Sequence, residues 1–162
     1  MFYGDIIFEK RIIMSLIESK AQICVSVDRQ WRPLWESRMS DPLDDAETLK
    51  MRDGNRIVEI GQKPNFYSDI EGQFRGLLKI RFEGVARLQQ SWRELQAMQV
   101  YAGESVTKIY MTSFIQYMVD SGVDVRADLI DGGWLEIDTV QDVSVFDFMY
   151  RKGFLTQFIN LI

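Results

Sequence analysis

The chain has 162 residues, 46% of them hydrophobic and 27% charged, with a formal net charge of -5. That length suits one globular domain with a real core, and the acidic balance argues against a general nucleic-acid surface, which wants a basic face. There is no histidine, which excludes a Ser-His-Asp triad, a Cys-His pair and histidine-ligated zinc.

Residues 1–7 (MFYGDII) open as an apolar strand running into Gly4-Asp5. Such a tip presents a carboxylate, or it is simply a turn. From Phe8 to Ser19 the apolar residues Phe8, Ile12, Ile13, Leu16 and Ile17 keep helical spacing. Residues 23–27 form a strand closed by Asp28, so the order strand, helix, strand suggests a parallel unit. The single cysteine, Cys24, lies in that apolar run and reads as a buried strand residue. One cysteine makes no internal disulfide, which fits a cytoplasmic protein. Residues 28–42 carry Trp31, Trp35, Arg29, Arg32 and Arg38. Trp31 and Trp35 share a face if Pro33 lies near a helix start. Aromatic and arginine side chains together could hold an anionic substrate. A packed cap with Arg–Trp stacking is the preferred reading.

Arg52-Asp53-Gly54-Asn55 is a hairpin turn, answered by a strand over 56–60. Lys63-Pro64 follows at a strand end, where a lysine could meet a phosphate. Residues 73–82 read as a long strand with Gly76 inside it, which marks a bulge or a close approach by a ligand or another backbone. A helix is predicted over 83–100, with Val85, Leu88, Trp92 and Leu95 on one side, and after a break at 101–105 another over 106–121, ended by Gly122. Residues 123–130 read as a strand. No apolar run approaches the ~20 residues that span a bilayer, so no membrane partner is expected.

The stretch Gly132 to Asp142 is the centre of the chain: a strand through Trp134, Leu135 and Ile137, then a helix from Val140 that Thr139 can cap. Glu136 and Asp138 fall at the strand's carboxyl end, the edge where open α/β sheets bind ligands. Paired carboxylates there suit Mg2+; equally, acidic residues beside helix starts often only cap. The last helix is expected over 140–151, and residues 153–162 form an apolar tail to a domain spanning 1–152.

Taken in order, these segments resemble the nucleotidyltransferase family, closest to its sugar-phosphate and phosphocholine members. Tyr3-Gly4-Asp5-Ile6 resembles the strand that ends in a metal-binding aspartate, and Glu59 to Pro64 the Glu-Lys-Pro element whose lysine meets the acceptor phosphate. Residues 72–79 resemble the strand with an internal glycine beside the acceptor, Tyr110-Met111-Thr112 the helix with a Tyr-Leu-Thr-Asp pattern, and Ile137-Asp138-Thr139 with Asp142 the second metal-aspartate loop. The resemblance implies a Rossmann-like α/β fold with a mostly parallel mixed sheet and a β-hairpin insertion, lacking the amino-terminal nucleotide-binding elements. The family's glycine-rich phosphate loop has no counterpart here. Gln62 stands where the family often has glutamate, Ser113 where it often has aspartate, and Arg75 in a strand usually more apolar at that point.

The implied activity is Mg2+-dependent nucleotidyl transfer from an NTP to a sugar phosphate, phosphocholine or phosphonate, in a truncated or split form that is inactive alone. By resemblance Asp5 and Asp138 hold Mg2+, with Glu136 a weaker ligand. Lys63 steadies the acceptor phosphate, and Gly76 and Thr112 lie against the acceptor. The rival expectation is a non-catalytic interaction module, whose exposed sheet edge is covered by a partner chain or by a second copy.

Overall fold

The computed structural model describes residues 1–161. In chain order its elements are β1 (Ile6–Phe8), α1 (Lys10–Glu18), β2 (Ile23–Asp28), α2 (Trp31–Arg38), β3 (Leu49–Arg52), β4 (Arg56–Ile60), β5 (Gln73–Ile80), α3 (Phe82–Met98), β6 (Val100–Tyr101), β7 (Glu104–Ser105), α4 (Met111–Asp120), β8 (Val125–Ile130), β9 (Trp134–Glu136) and α5 (Val140–Arg151).

Every residue of β2 is buried, as a strand covered on both faces requires. It lies in a five-stranded sheet ordered β3-β4-β8-β2-β5. The sheet is mixed: β2 runs parallel to β8, while β2–β5, β3–β4 and β4–β8 are antiparallel. The order strand, helix, strand at the start of the chain does not make a parallel unit. The chain bends at Gly4-Asp5, and β1 leaves the large sheet to pair antiparallel with β9.

Successive side chains of a strand point to opposite faces, and two apolar cores result. Cys24 and Leu77 face Ile12, Leu16, Trp35, Trp134 and Phe146. Val25 and Leu78 face Leu95, Ile115 and Met118. The apolar tail packs on the body, since Leu155 and Ile159 are buried in the first core; Ile162 lies outside the described residues.

Local chemistry explains where elements begin and end. Asp53 and Gly54 have φ of 51° and 85°, the two left-handed positions that a tight hairpin needs. The strand expected over 73–82 stops at Ile80, because Phe82 already opens α3 and is 92% exposed. The helix expected from Val106 starts only at Met111. Val106–Lys108 is a single tight turn, and Ile109 and Tyr110 are extended. The stripe expected to be buried along α3 is partly open: Leu95 is buried, but Val85 and Trp92 are each 37% exposed.

Two measurements check this packing. Ile115 is fully buried, so Ile115→Ala should cost about 3 kcal/mol in urea unfolding. Burial raises the Cys24 thiol pKa, against a hydrogen bond from Ser19. An aromatic disulfide reagent should therefore label Cys24 only once the chain unfolds; rapid labelling of the native protein would contradict the fold.

Candidate functional site

The pairing of β1 with β9 builds an acidic rim. Ile6 lies opposite Glu136, and the Asp5 carbonyl accepts a hydrogen bond from the Ile137 N–H at 2.9 Å. Asp5 therefore sits across the ribbon from the residue before Asp138. Next to them α5 begins with a reciprocal cap. Thr139 Oγ1 accepts from the Asp142 N–H at 3.2 Å, and Asp142 Oδ2 accepts from the Thr139 N–H at 2.8 Å.

The side chain that organises the rim is Arg38, from the last turn of α2. It is 3% exposed and faces carboxylates from β9, the following loop and α5. Nε donates to Asp142 Oδ1 at 2.9 Å, Nη1 to Glu136 Oε2 at 3.1 Å, and Nη2 to Asp138 Oδ2. Burial alone would lower its pKa, but the bonds to Asp142 and Asp138 and the charge of Glu136 raise it. Burial likewise pushes Asp142 up, and its bonds to Arg38 and Thr139 prevail, holding it at about 2. Glu136 moves the other way. Burial and the neighbouring Asp138 raise it despite Arg38.

Gly76 sits beneath the amino-terminal segment. Its φ is +67°, and a Cβ there would come within 2.5 Å of the Tyr3 ring. The close approach expected at this glycine is made by Tyr3, whose N–H donates to the Gly76 carbonyl at 3.1 Å. Burial, then the charges of Glu47, Asp5 and Glu136, push the Tyr3 phenol up to about 12. Tyr3 thus links the acidic rim to a second region around Glu47.

That region is a cleft of about 500 Å³ whose lining includes Asp45, Glu47, Gly61, Lys63, Tyr110 and Ser113. Lys63 Nζ donates to the carbonyls of Leu43 at 2.6 Å and Asp44 at 2.7 Å, which fixes an ammonium on its wall. Thr112 is buried behind the wall and donates to Glu47 Oε1 at 3.0 Å. Burial raises the Glu47 pKa, against that bond. Gln73 clamps the Glu47 backbone on both sides, accepting from its N–H at 3.2 Å and donating to its carbonyl at 2.5 Å.

The structure thus sets Asp5 and Glu136 on one short ribbon with Asp138 just after it, packs Gly76 against Tyr3, and puts Lys63 in the cleft wall with Thr112 behind it. Nothing in the sequence marks Glu47 for a role, and Arg38 reads there as one of several packing arginines. The only signal for Arg38 is Trp31-x-x-x-Trp35-x-x-Arg38, which puts the arginine at the helix end. Among the described residues, no three acidic side chains converge as a ready-made metal cage. Oxygen donors such as the Asp5 and Asp138 carboxylates suit Mg2+, which needs only one or two carboxylates and takes its other ligands from water and phosphate.

No family model matches the sequence. Over 143 residues the chain is 36% identical to a CTP:phosphoglutamine cytidylyltransferase of Campylobacter jejuni, an alignment covering 88% of this chain and 56% of that protein. Its fold is similar to that of the inositol-1-phosphate CTP transferase from T. maritima, with a TM-score of 0.59 and 19% identity over 97% of this chain and 55% of that one. It is also similar to a candidate glucose-1-phosphate thymidylyltransferase from Bacillus anthracis, with a TM-score of 0.61 and 15% identity over 93% of this chain and 53% of that one. The chain spans about half the length of these proteins.

Replacing Arg38 by Met should cost about 3–5 kcal/mol at neutral pH, because it strands acidic groups beside one another. The acid limb of the unfolding curve should change as well. Asp142 is depressed in the folded state, so its contribution is present above its unfolded pKa and is lost as pH falls towards about 2. Urea midpoints between pH 5 and pH 2 should fall less steeply in the Met variant than in the wild type.

Proposed function

We propose, from the premise that this chain belongs to the nucleotidyltransferase family, that it carries the acceptor and metal part of a domain that moves a cytidylyl group from CTP to a phosphorylated small molecule. CTP is the nucleotide named for the relative at 36% identity. In the reaction an acceptor phosphate or phosphonate oxygen bonds to the α-phosphorus, the α–β anhydride bond breaks, and its electron pair leaves with pyrophosphate. The nucleophile is already an anion, so a chain without histidine is no obstacle. Catalysis of this kind is positioning plus charge stabilisation.

The observation that supports the reading is the β1–β9 ribbon, in which the Asp5 carbonyl accepts from the Ile137 N–H, one residue before Asp138. In this reading Asp5 and Asp138 hold Mg2+, with Glu136 a weaker ligand. Bound there, Mg2+ would supply positive charge to the α-phosphate of the transferring cytidylyl group. Lys63 meets the acceptor phosphate at the cleft wall. Thr112 aims Glu47 at the acceptor, and Gly76 lets Tyr3 close the floor between cleft and rim. Arg38 holds Glu136 and Asp138 in place before the cation arrives.

A second reading has its own observation. Among the described residues, β5 is bordered on the side away from β2 by Met1–Tyr3, through the Phe2–Leu77 bridge. Beside this edge lies an apolar cleft of about 360 Å³, lined by Met1, Leu78, Ile80, Leu88, Trp92 and Phe114 among others. An edge covered by so short a segment, beside an apolar cleft, invites another strand. A partner chain or a second copy would fit here, and the chain would serve as an interaction module.

Three experiments separate the readings. Mn2+ titrated into this chain and followed by electron paramagnetic resonance should show a site that Asp5→Asn and Asp138→Asn each weaken by about tenfold or more, with circular dichroism unchanged. Full metal binding in both variants would falsify the rim assignment. Complemented with the portion of the Campylobacter relative that it does not cover, the chain should release pyrophosphate from CTP and a phosphorylated acceptor. Lys63→Ala should cut kcat/KM for the acceptor about 100-fold, as loss of a charge-paired contact does. The module reading is tested by light scattering: a monomer that persists on concentration and binds no complementing half counts against it.

A further inference from the structure

One buried cation lies outside this scheme. Arg75, on β5, is 2% exposed. Its Cζ lies 3.3 Å from the centroid of the Trp134 ring and 5.2 Å from that of Trp35. Nε donates to the Gln73 carbonyl at 3.0 Å. Neither Nη1 nor Nη2 has a hydrogen-bond partner among the described residues. The nearest carboxylate, Asp28, stands 3.7 Å from Nη2. Asp28 has other commitments, accepting from Gln30 N–H, Gly132 N–H and Trp134 Nε1. Burial lowers the Arg75 pKa to about 9, against the charges of Asp28 and Glu136.

A guanidinium left with two open ends is poorly matched to its surroundings, since buried donors normally find partners. The surroundings themselves are well matched to a different kind of cation. Two indole faces with carboxylates at the margin form an aromatic cage, which recognises alkylammonium groups that have no N–H to satisfy. Trp134 and Asp28 line a separate cavity of about 180 Å³, and two hydrogen-bonded links join the cage to the cleft that holds Lys63. Trp35 Nε1 donates to Asp45, a cleft residue, at 2.9 Å, and Gln73 joins Glu47 in the cleft wall to Arg75.

We propose that Arg75 is the specificity-determining residue of the acceptor site: it is the resident occupant of a Trp35–Trp134 cage and so excludes acceptors that carry a quaternary ammonium group. The inference deepens the acceptor reading above and rests on it for the link to specificity. Of the acceptors that the sequence left open, phosphocholine is the one removed. Sugar phosphates and phosphonates without a trimethylated nitrogen remain. Arg75→Ala would empty the cage and leave its walls standing.

The test needs no turnover, so its result is independent of whether the chain transfers nucleotides. Tryptophan fluorescence of this chain is titrated with tetramethylammonium chloride and with phosphocholine, using sodium chloride as the ionic control. Wild type should show no saturable change. Arg75→Ala should bind both ligands saturably, with Kd at least about tenfold below any residual wild-type value, as expected for a desolvated cation–π site. Arg75→Lys, which keeps a cation in the slot, should behave as wild type. Saturable phosphocholine binding by wild type overturns the proposal, as does a folded Arg75→Ala variant that binds neither ligand. If the Ala variant is unfolded in buffer, recovery of its near-ultraviolet circular dichroism on adding tetramethylammonium supports the cage, and failure to recover counts against it.

Discussion

The structure around the candidate site depends on the charge of Arg38. Glu136, Asp138 and Asp142 come from β9, the loop after it and α5, about a hundred positions further along the chain. Brought together without a counter-ion they would repel one another, and Asp142 is 4% exposed. A single guanidinium, almost fully buried, bonds to all of them. Its planar fork of donors can do this where a lysine could not. The consequence is mechanical as well as electrostatic: the end of α2 is fixed against the start of α5, and the rim that α5 follows is held in one conformation. Trp31 and Trp35, one turn apart on α2, pack inward and aim the helix so that Arg38 arrives at the carboxylates.

Much of this was legible in the sequence because the signals are local. Thr139 and Asp142, three apart, specify a capping box whatever surrounds them, and the structure contains it. Asp53-Gly54 specifies the hairpin, and the buried run 23–28 specifies a central strand. What was not legible depends on contacts between distant residues. Periodicity over 106–121 matches a helix, yet the chain spends its first residues there in a tight turn and an extended segment. Nothing within three or four positions of Glu47 says that Thr112 will bond to it or that Gln73 will clamp it. Arg38 could be read as an arginine near tryptophans, but its partners lie at the opposite end of the chain.

The pairing of β1 with β9 shows the same division. Each strand has only three residues, too short to be fixed by its own pattern. The sequence did supply acidic residues at two strand tips, and the ribbon sets those tips opposite each other. A one-residue slip would turn every side chain of the ribbon to the other face. The slip is resisted from both ends: Glu9 N–H donates to the Gly133 carbonyl and Ile137 N–H to the Asp5 carbonyl. Gly133 can take its φ of +86° because it is glycine. Its missing side chain also leaves room for the Arg11 guanidinium, which a Cβ there would strike.

Charge balance joins the two buried arginines to the chemistry proposed for the rim. Asp28, Glu136, Asp138 and Asp142 stand around Arg38 and Arg75, so carboxylates outnumber guanidiniums by two to one. The excess is not spread evenly. Asp142 and Asp28 are buried and engaged in several hydrogen bonds each, whereas the Asp138 side chain is 42% exposed and bonds to Arg38 from the outside. Asp5 is exposed as well, and its carbonyl accepts from the Ile137 N–H. The negative charge left uncompensated by the arginines therefore collects at the solvent edge, where a hydrated divalent ion can reach it without crossing the core. Its inner side is already neutralised, so an ion of the kind proposed would come and go without disturbing the packing beneath. That separation of structural cations inside from an exchangeable one outside is what the proposed reaction asks of a rim that must stay in place as its cation, nucleotide and pyrophosphate come and go.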